Sequence, residues 1–114
     1  MSQYVNCYAR GKFSEARGYM AKSSGSLKDR VGGAYLGWLF VVRDDDLPDD
    51  LRVDFQTLKA LLTTEPPDRW RGSVDATLAK MHWRKVRKCA DLIVTLADDA
   101  DRRIDPVFDY RSAA

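Results

Sequence analysis

SVDATLAKMHWRKVRKCADLIVTLADDADRR, residues 73 to 103, is the longest periodic stretch of the chain, and its reading decides the fold. Val74, Leu78, His82, Val86, Cys89, Ile93, Leu96 and Ala100 recur at spacings of three and four, which places one apolar stripe along a helix facing a core. Met81, Leu92 and Ala97 widen that stripe. The opposite face begins basic at Lys80, Arg84, Lys85, Arg87 and Lys88 and turns acidic at Asp91, Asp98, Asp99 and Asp101. A single helix over the stretch would be about 46 Å long at 1.5 Å per residue, against roughly 33 Å across a compact domain of this size. A break is therefore expected around Met81 and His82, with His82 capping the second half.

Outward from this stretch, the rest of the chain reads as the partners that such a helix needs. The 114 residues suit one domain, and 45% hydrophobic and 11% aromatic content is enough for a real core. The net charge of +2 is small but unevenly spread. Residues 44–54 are strongly acidic and residues 69–88 strongly basic. The opening MSQYVNCYARGKF has no apolar run of the kind that drives export, so a cytoplasmic location is expected. Cys7 and Cys89 stand alone without CxxC spacing and read as small buried hydrophobes. The longest apolar run, Ala34 to Val42, falls far short of the roughly 20 residues that span a bilayer, so no membrane association is expected.

Four segments carry helical signals. Residues 4–22 suit one or two short helices, with Ser14 capping a turn and Phe13, Ala16 and Met20 sharing a face. Gly11 and Gly18 each weaken a helix by about 1 kcal/mol relative to alanine, so this segment depends on packing. Ser26, with Asp29 three residues on, approximates a capping box for a helix over 26–42. Its stripe is Leu27, Val31, Ala34, Trp38 and Val41, with Tyr35, Leu39 and Val42 beside it. The β-branched and aromatic content of AYLGWLFVV leaves a strand as the alternative. If helical, Gly33 and Gly37 allow another helix close approach. RDDDLPDD at 43–50 ends that helix and starts a third, where Pro48, Asp49 and Asp50 suit a first turn. Leu51, Phe55, Leu58 and Leu62 are its buried stripe, and it stops before Pro66 and Pro67. After the linker EPPDRWRG, Ser73 is expected to cap the organising helix, with Asp75 in its first turn. Pro106 halts the last helix. The expectation is an all-α domain over 1–114, a compact bundle of three or four main helices. It has an N-terminal helical arm at 1–25, a long and broken C-terminal helix, and a tail at 104–114.

SLKDRVGGAYLGWL, then DDLPDDLRVDFQTLKALLT, then a proline-containing linker, GSVDATLAKM and a charged helix ending LIVTLADD resemble a family of small uncharacterised bacterial proteins often met on mobile elements. The likeness covers residues 26–100. It implies a compact helical protein and no active site. Where that family follows the methionine with a Ser-Asp-Glu-Glu-like start, this chain follows Met81 with His82, Trp83, Arg84 and Lys85, which agrees with a break at 81–82.

Catalytic chemistry is thinly represented. His82 is the only histidine, and its place in the pattern is a stripe or cap position. Cys89 lies seven residues away, about 10 Å along a helix, too far for proton transfer. The aspartates at 44–54 lack the alternating oxygen ligands and glycine of an EF-hand loop. Walker, GxGxxG and HExxH patterns are absent from the sequence. No enzyme, metal or cofactor is expected.

The basic run is the feature that reaches beyond a generic fold. Lys80, Arg84, Arg87 and Lys88 fall on neighbouring turns, with Arg69, Trp70 and Arg71 upstream and Trp83 among them. Such a mixture can meet phosphates and stack bases. The competing reading makes these ordinary solvated charges, partly paired with 44–54 or with Asp91 at i+4 from Arg87. The expected function is a non-enzymatic interaction or accessory module in a bacterial cytoplasm with a protein partner. Nucleic-acid binding through the 69–88 face is the alternative. A second copy of the chain is a further candidate partner, since residues 34–42 are apolar on several sides.

Overall fold

The computed structural model describes residues 4–103. Within them the chain forms five α-helices: α1 (Cys7–Lys22), α2 (Leu27–Gly37), α3 (Asp49–Leu62), α4 (Ser73–Lys80) and α5 (Trp83–Arg102). Two 3-10 turns, Leu39–Val41 and Asp44–Asp46, lie between α2 and α3, and the described residues contain no strand. The tail expected at 104–114, with Phe108 and Tyr110, falls outside the described residues.

The organising stretch is two helices. α4 ends at Lys80, Met81 and His82 take extended backbone, and α5 starts at Trp83. His82 is exposed rather than part of the apolar stripe, and its Nδ1 accepts the Arg84 N–H at 3.2 Å. Cap and stripe are exclusive roles here, because an N-cap residue leaves helical dihedrals and turns its side chain back over the first turn. Beyond the cap, Val86, Cys89, Ile93, Leu96, Ala97 and Ala100 are all buried.

α5 packs against α1, α3 and α2, while α4 bridges α2 and α3. α1 packs against both α5 and α2. It is one continuous helix from Cys7, capped by Asn6, whose Oδ1 accepts the Ala9 N–H at 2.8 Å. Ser14 lies in its middle and caps nothing. Ala9, Phe13, Ala16 and Met20 form its buried face, and the Phe13 ring meets Phe55 of α3 edge-on at 5.6 Å. Edge-to-face pairs of this kind add about 0.5–1.5 kcal/mol beyond area burial. Cys7, at the start of α1, is exposed, so only Cys89 fits the expectation of a buried thiol.

α2 is shorter than the expected 26–42. Ser26 Oγ caps it by accepting the Asp29 N–H, but the helix ends at Gly37. The chain then tightens into a 3-10 turn, whose i, i+3 spacing sends Leu39 and Val42 inward and leaves Phe40 and Val41 outside. Val41 therefore leaves the expected stripe. Trp38 instead lies against Tyr19 of α1, ring centroids 5.2 Å apart. Gly33 permits this approach, since a Cβ there would sit 2.4 Å from the Tyr19 hydroxyl oxygen. Gly37 has no such neighbour.

α3 buries Leu51, Phe55, Leu58 and Leu62, as its spacing dictates, with Pro48 at the N-cap and Asp49 and Asp50 in the first turn. Ser73 does not cap α4. The cap is Gly72, and Ser73 Oγ donates to the Glu65 carbonyl at 2.6 Å, while Thr77 Oγ1 accepts the Glu65 N–H at 3.0 Å. Both polar side chains pin the 63–72 linker to α4.

Candidate functional site

The two halves of α5 differ in how their charge is used. Asp101 accepts from Arg10 Nε at 3.0 Å and from Arg17 Nη2 at 2.8 Å, and Asp98 accepts from Arg17 Nη1 at 2.5 Å. Asp99 pairs with Arg102 on its own helix, and Arg103 Nη1 donates to Asp50 of α3 at 3.0 Å. Burial pushes the Asp101 carboxyl up, but the hydrogen bonds and charges of Arg17 and Arg10 outweigh it and hold the group below the usual carboxylate range. The hydrogen bond from Arg17 to Asp101 in turn raises the Arg17 guanidinium above its ordinary value. Acidic groups at a helix C-terminus oppose the helix dipole, and these arginines offset that cost while joining α1 to α5.

The basic half has no such offset. Arg84, Lys85, Arg87 and Lys88 are exposed, and among the described residues none of them forms an ion pair. The i+4 pair of Arg87 with Asp91 is not made. Nor do the aspartates at 44–54 reach this face. Asp44 accepts from Gln56 at 3.1 Å and faces Lys59 at 3.6 Å, Asp46 caps the Arg43 N–H, Asp49 pairs with Arg52 and Asp50 with Arg103. The acidic segment is a set of turn and helix-start contacts. Its members are dispersed enough that no three His, Cys, Asp or Glu side chains among the described residues gather around a common point. The cations thus sit unpaired beside the positive end of α5, where the first turn contains no acidic residue.

The eight residues singled out from the sequence do not form one face. Lys80 belongs to α4, across the break at 81–82 from Arg84, and its Nζ pairs with Glu65 at 2.8 Å. Arg71 pairs with Asp68 within the linker at 2.9 Å, where Asp68 also accepts the Trp70 and Arg71 N–H groups. Those backbone bonds and the Arg71 guanidinium hold the Asp68 carboxyl below its ordinary range. Among the described residues Trp70 is the most exposed large hydrophobic side chain, at 84%, with the Arg69 guanidinium 5.3 Å from its ring centroid. Trp83 is 58% exposed and carries Arg84 over its ring at the same separation. Arg84, Arg87, Lys88 and Trp83 do belong together, on the first turns of α5.

Lys28 joins them, and the sequence pattern did not point to it. The start of α2 lies beside the start of α5, and Ser26, Leu27, Lys28, Trp83, Val86 and Arg87 line a cleft of about 390 Å³ between them. Lys28 reaches the Ala79 carbonyl at 3.4 Å and has no carboxylate partner among the described residues. Leu36 in the last turn of α2 and Phe40 and Val41 in the 3-10 turn after it are separately exposed, Phe40 at 67%.

The fold and this face define an all-α helical domain with a basic surface at the start of α5 that no ion pair among the described residues compensates. Comparison with protein-family models, curated proteins and solved structures returns no match. Among the described residues no helix is long and apolar enough to cross a membrane.

Proposed function

We propose that the chain is a non-enzymatic interaction module, an accessory protein of a bacterial cytoplasmic system linked to mobile elements or phage, and that it contacts an acidic protein partner through the first turns of α5. One observation carries this reading: α5 pairs the acids of its C-terminal half with arginines, whereas Arg84, Arg87 and Lys88 meet no carboxylate among the described residues. Unpaired cations at a helix start weaken that helix, and an anionic surface docking there reverses the sign of the effect. The bacterial and mobile-element setting rests on the family resemblance alone. Leu36, Phe40 and Val41 are three exposed side chains, against the roughly 20–30 residues a side of a standard interface, so a monomer that seeks a different partner is the form proposed. The test is affinity capture from a bacterial lysate with the wild type and with Arg84→Glu/Lys88→Glu, both first shown to melt alike. An acidic protein retained by the wild type and lost by the double variant supports the reading, and identical captures overturn it.

Nucleic-acid binding remains a second reading, favoured by one specific observation. Trp70 and Trp83 are both exposed and both stacked by an arginine, the combination by which single strands are held without sequence preference. Against it stands the loss of Lys80 and Arg71 from the basic face to Glu65 and Asp68.

A further inference from the structure

The cleft between the starts of α2 and α5 has a composition that identifies its occupant more narrowly than charge alone. Its floor is apolar, from Val86, Leu27 and the Trp83 ring, and its rim is cationic, from Lys28 and Arg87 with Arg84 adjacent. No acidic residue lines it. Two helices of eleven and twenty residues begin here, capped by Ser26 and His82; the first turn of α5 contains no acidic residue, so its positive end adds to the rim, whereas Asp29 in the first turn of α2 offsets the other. An apolar floor of this size takes one large side chain, and a rim of this sign takes carboxylates on either side of it.

We infer that this cleft is the anchor site for a short acidic peptide segment of a partner protein, which inserts one aromatic or branched aliphatic side chain between Leu27, Trp83 and Val86 while flanking Asp or Glu residues meet Lys28, Arg84 and Arg87. The inference rests on the reading of the basic face as a protein-contact surface. A nucleic-acid strand fits the geometry less well. To use both exposed tryptophans it would have to run from Trp83 towards the 63–72 linker that carries Trp70. The neighbouring depression, which shares Lys28 with the cleft and reaches Arg71 of that linker, is lined by Asp29 and Asp75 as well. Two carboxylates on that path repel a phosphate backbone. An anchored peptide needs only the cleft, whose lining contains no carboxylate. Trp and Arg are also the side chains that most often dominate interface energetics when they surround an apolar pocket.

The experiment selects a library of random twelve-residue peptides, displayed on phage, against the full chain. The consensus peptide is then titrated, fluorescently labelled, against the wild type, Trp83→Ala, Arg87→Glu and Arg84→Glu/Lys88→Glu. An oligothymidine of similar length serves as the competing probe. Selection should enrich acidic peptides with one large apolar residue. Replacing that residue by serine, or using either Trp83→Ala or Arg87→Glu, should weaken binding by about tenfold or more, with circular dichroism unchanged. Selected peptides without acids or without an anchor overturn the inference. If Arg84→Glu/Lys88→Glu abolishes binding while Trp83→Ala and loss of the anchor change nothing, the basic-face reading stands and the cleft assignment fails. Oligothymidine binding tighter than any selected peptide, and lost in Trp83→Ala, overturns both.

Discussion

Arg17 Nη2 donates to Asp101 Oδ2 at 2.8 Å, joining the middle of α1 to the last turn of α5. Both side chains are about a quarter to a third exposed, and Asp98 more so, so solvent screens the pair. Arg17→Gln should cost about 1 kcal/mol at neutral pH. The Asp101 carboxyl is held below its ordinary 3.8 in the folded chain, burial notwithstanding. Its contribution is therefore present above pH 3.8 and lost as pH falls through the depressed folded value. Urea unfolding at pH 7 and pH 3 checks both signs: the gap between wild type and variant should narrow at the lower pH, and a gap that widens would contradict the assignment.

The neighbours Ile93 and Val94 test the face of α5. Ile93 is fully buried, whereas Val94 is 38% exposed. Ile93→Asp places an unpaired carboxylate in the core and should cost several kcal/mol, on the order of 3 or more. Val94→Asp should stay within about 1 kcal/mol. Thermal melts followed by circular dichroism measure the contrast, and similar losses for the two would mean the stripe is misplaced.

Glycines give a test of packing against propensity. An added Cβ at Gly11 or Gly18 meets nothing within 4 Å, and both lie inside α1 at ordinary negative φ. Each change to alanine should raise stability by up to about 1 kcal/mol. Gly33→Ala should lose that gain, because its Cβ collides with the Tyr19 ring and displaces it from Trp38. Tryptophan fluorescence reports the displacement, and a stabilised Gly33→Ala with an unchanged spectrum would refute the contact.

These contrasts also indicate what a one-dimensional reading can carry. The α3 stripe and the break after Lys80 follow from local spacing and length, so they were legible. α1 was legible in part: the shared face of Phe13, Ala16 and Met20 follows from spacing, but its Asn6 cap and its continuity through Ser14 do not, because its amphipathic pattern is weak and Phe13 meets Phe55 only across the fold. Ser73 has the residue type of a cap but its hydroxyl goes to Glu65, a choice made by the path of the linker. In the same way Lys80 and Arg84 look like one face until the backbone turns at His82. The cleft was invisible because Leu27 and Trp83 are brought together only by the packing of α2 on α5.

His82 is a weak cap placed where a strong one would conflict with charge. Asp at this position accepts first-turn N–H groups better and favours the positive helix end, a gain of about 1 kcal/mol. It also adds a carboxylate beside Arg84, Lys85 and Arg87. His82→Asp should therefore melt higher than the wild type and bind an anionic partner more weakly. Differential scanning calorimetry and titration with the selected acidic peptide measure the two together. A variant that gains stability and keeps full affinity would show that the basic start of α5 is not the contact.

Arg84→Glu/Lys88→Glu separates the two functional readings. Both side chains are exposed and unpaired among the described residues, and the change places acid in the first turns of α5, so the melting temperature should hold or rise. With Lys80 paired to Glu65, Arg84, Arg87 and Lys88 of the original run remain for phosphates, and Lys28 joins them. Binding to duplex DNA through about four cations would give a log–log salt slope of about −3.6, and stacking on Trp83 would add about 1–3 kcal/mol per base on single strands. A slope so shallow supports only weak association at physiological salt, whereas an anchored acidic segment combines the same charges with apolar burial that salt does not screen. The wild type should thus show no mobility shift of duplex or single-stranded DNA, even at low salt, and the double change should weaken the acidic peptide alone. A salt-sensitive shift by the wild type that disappears in the double variant would reverse this order and make nucleic acid the ligand of the α5 face.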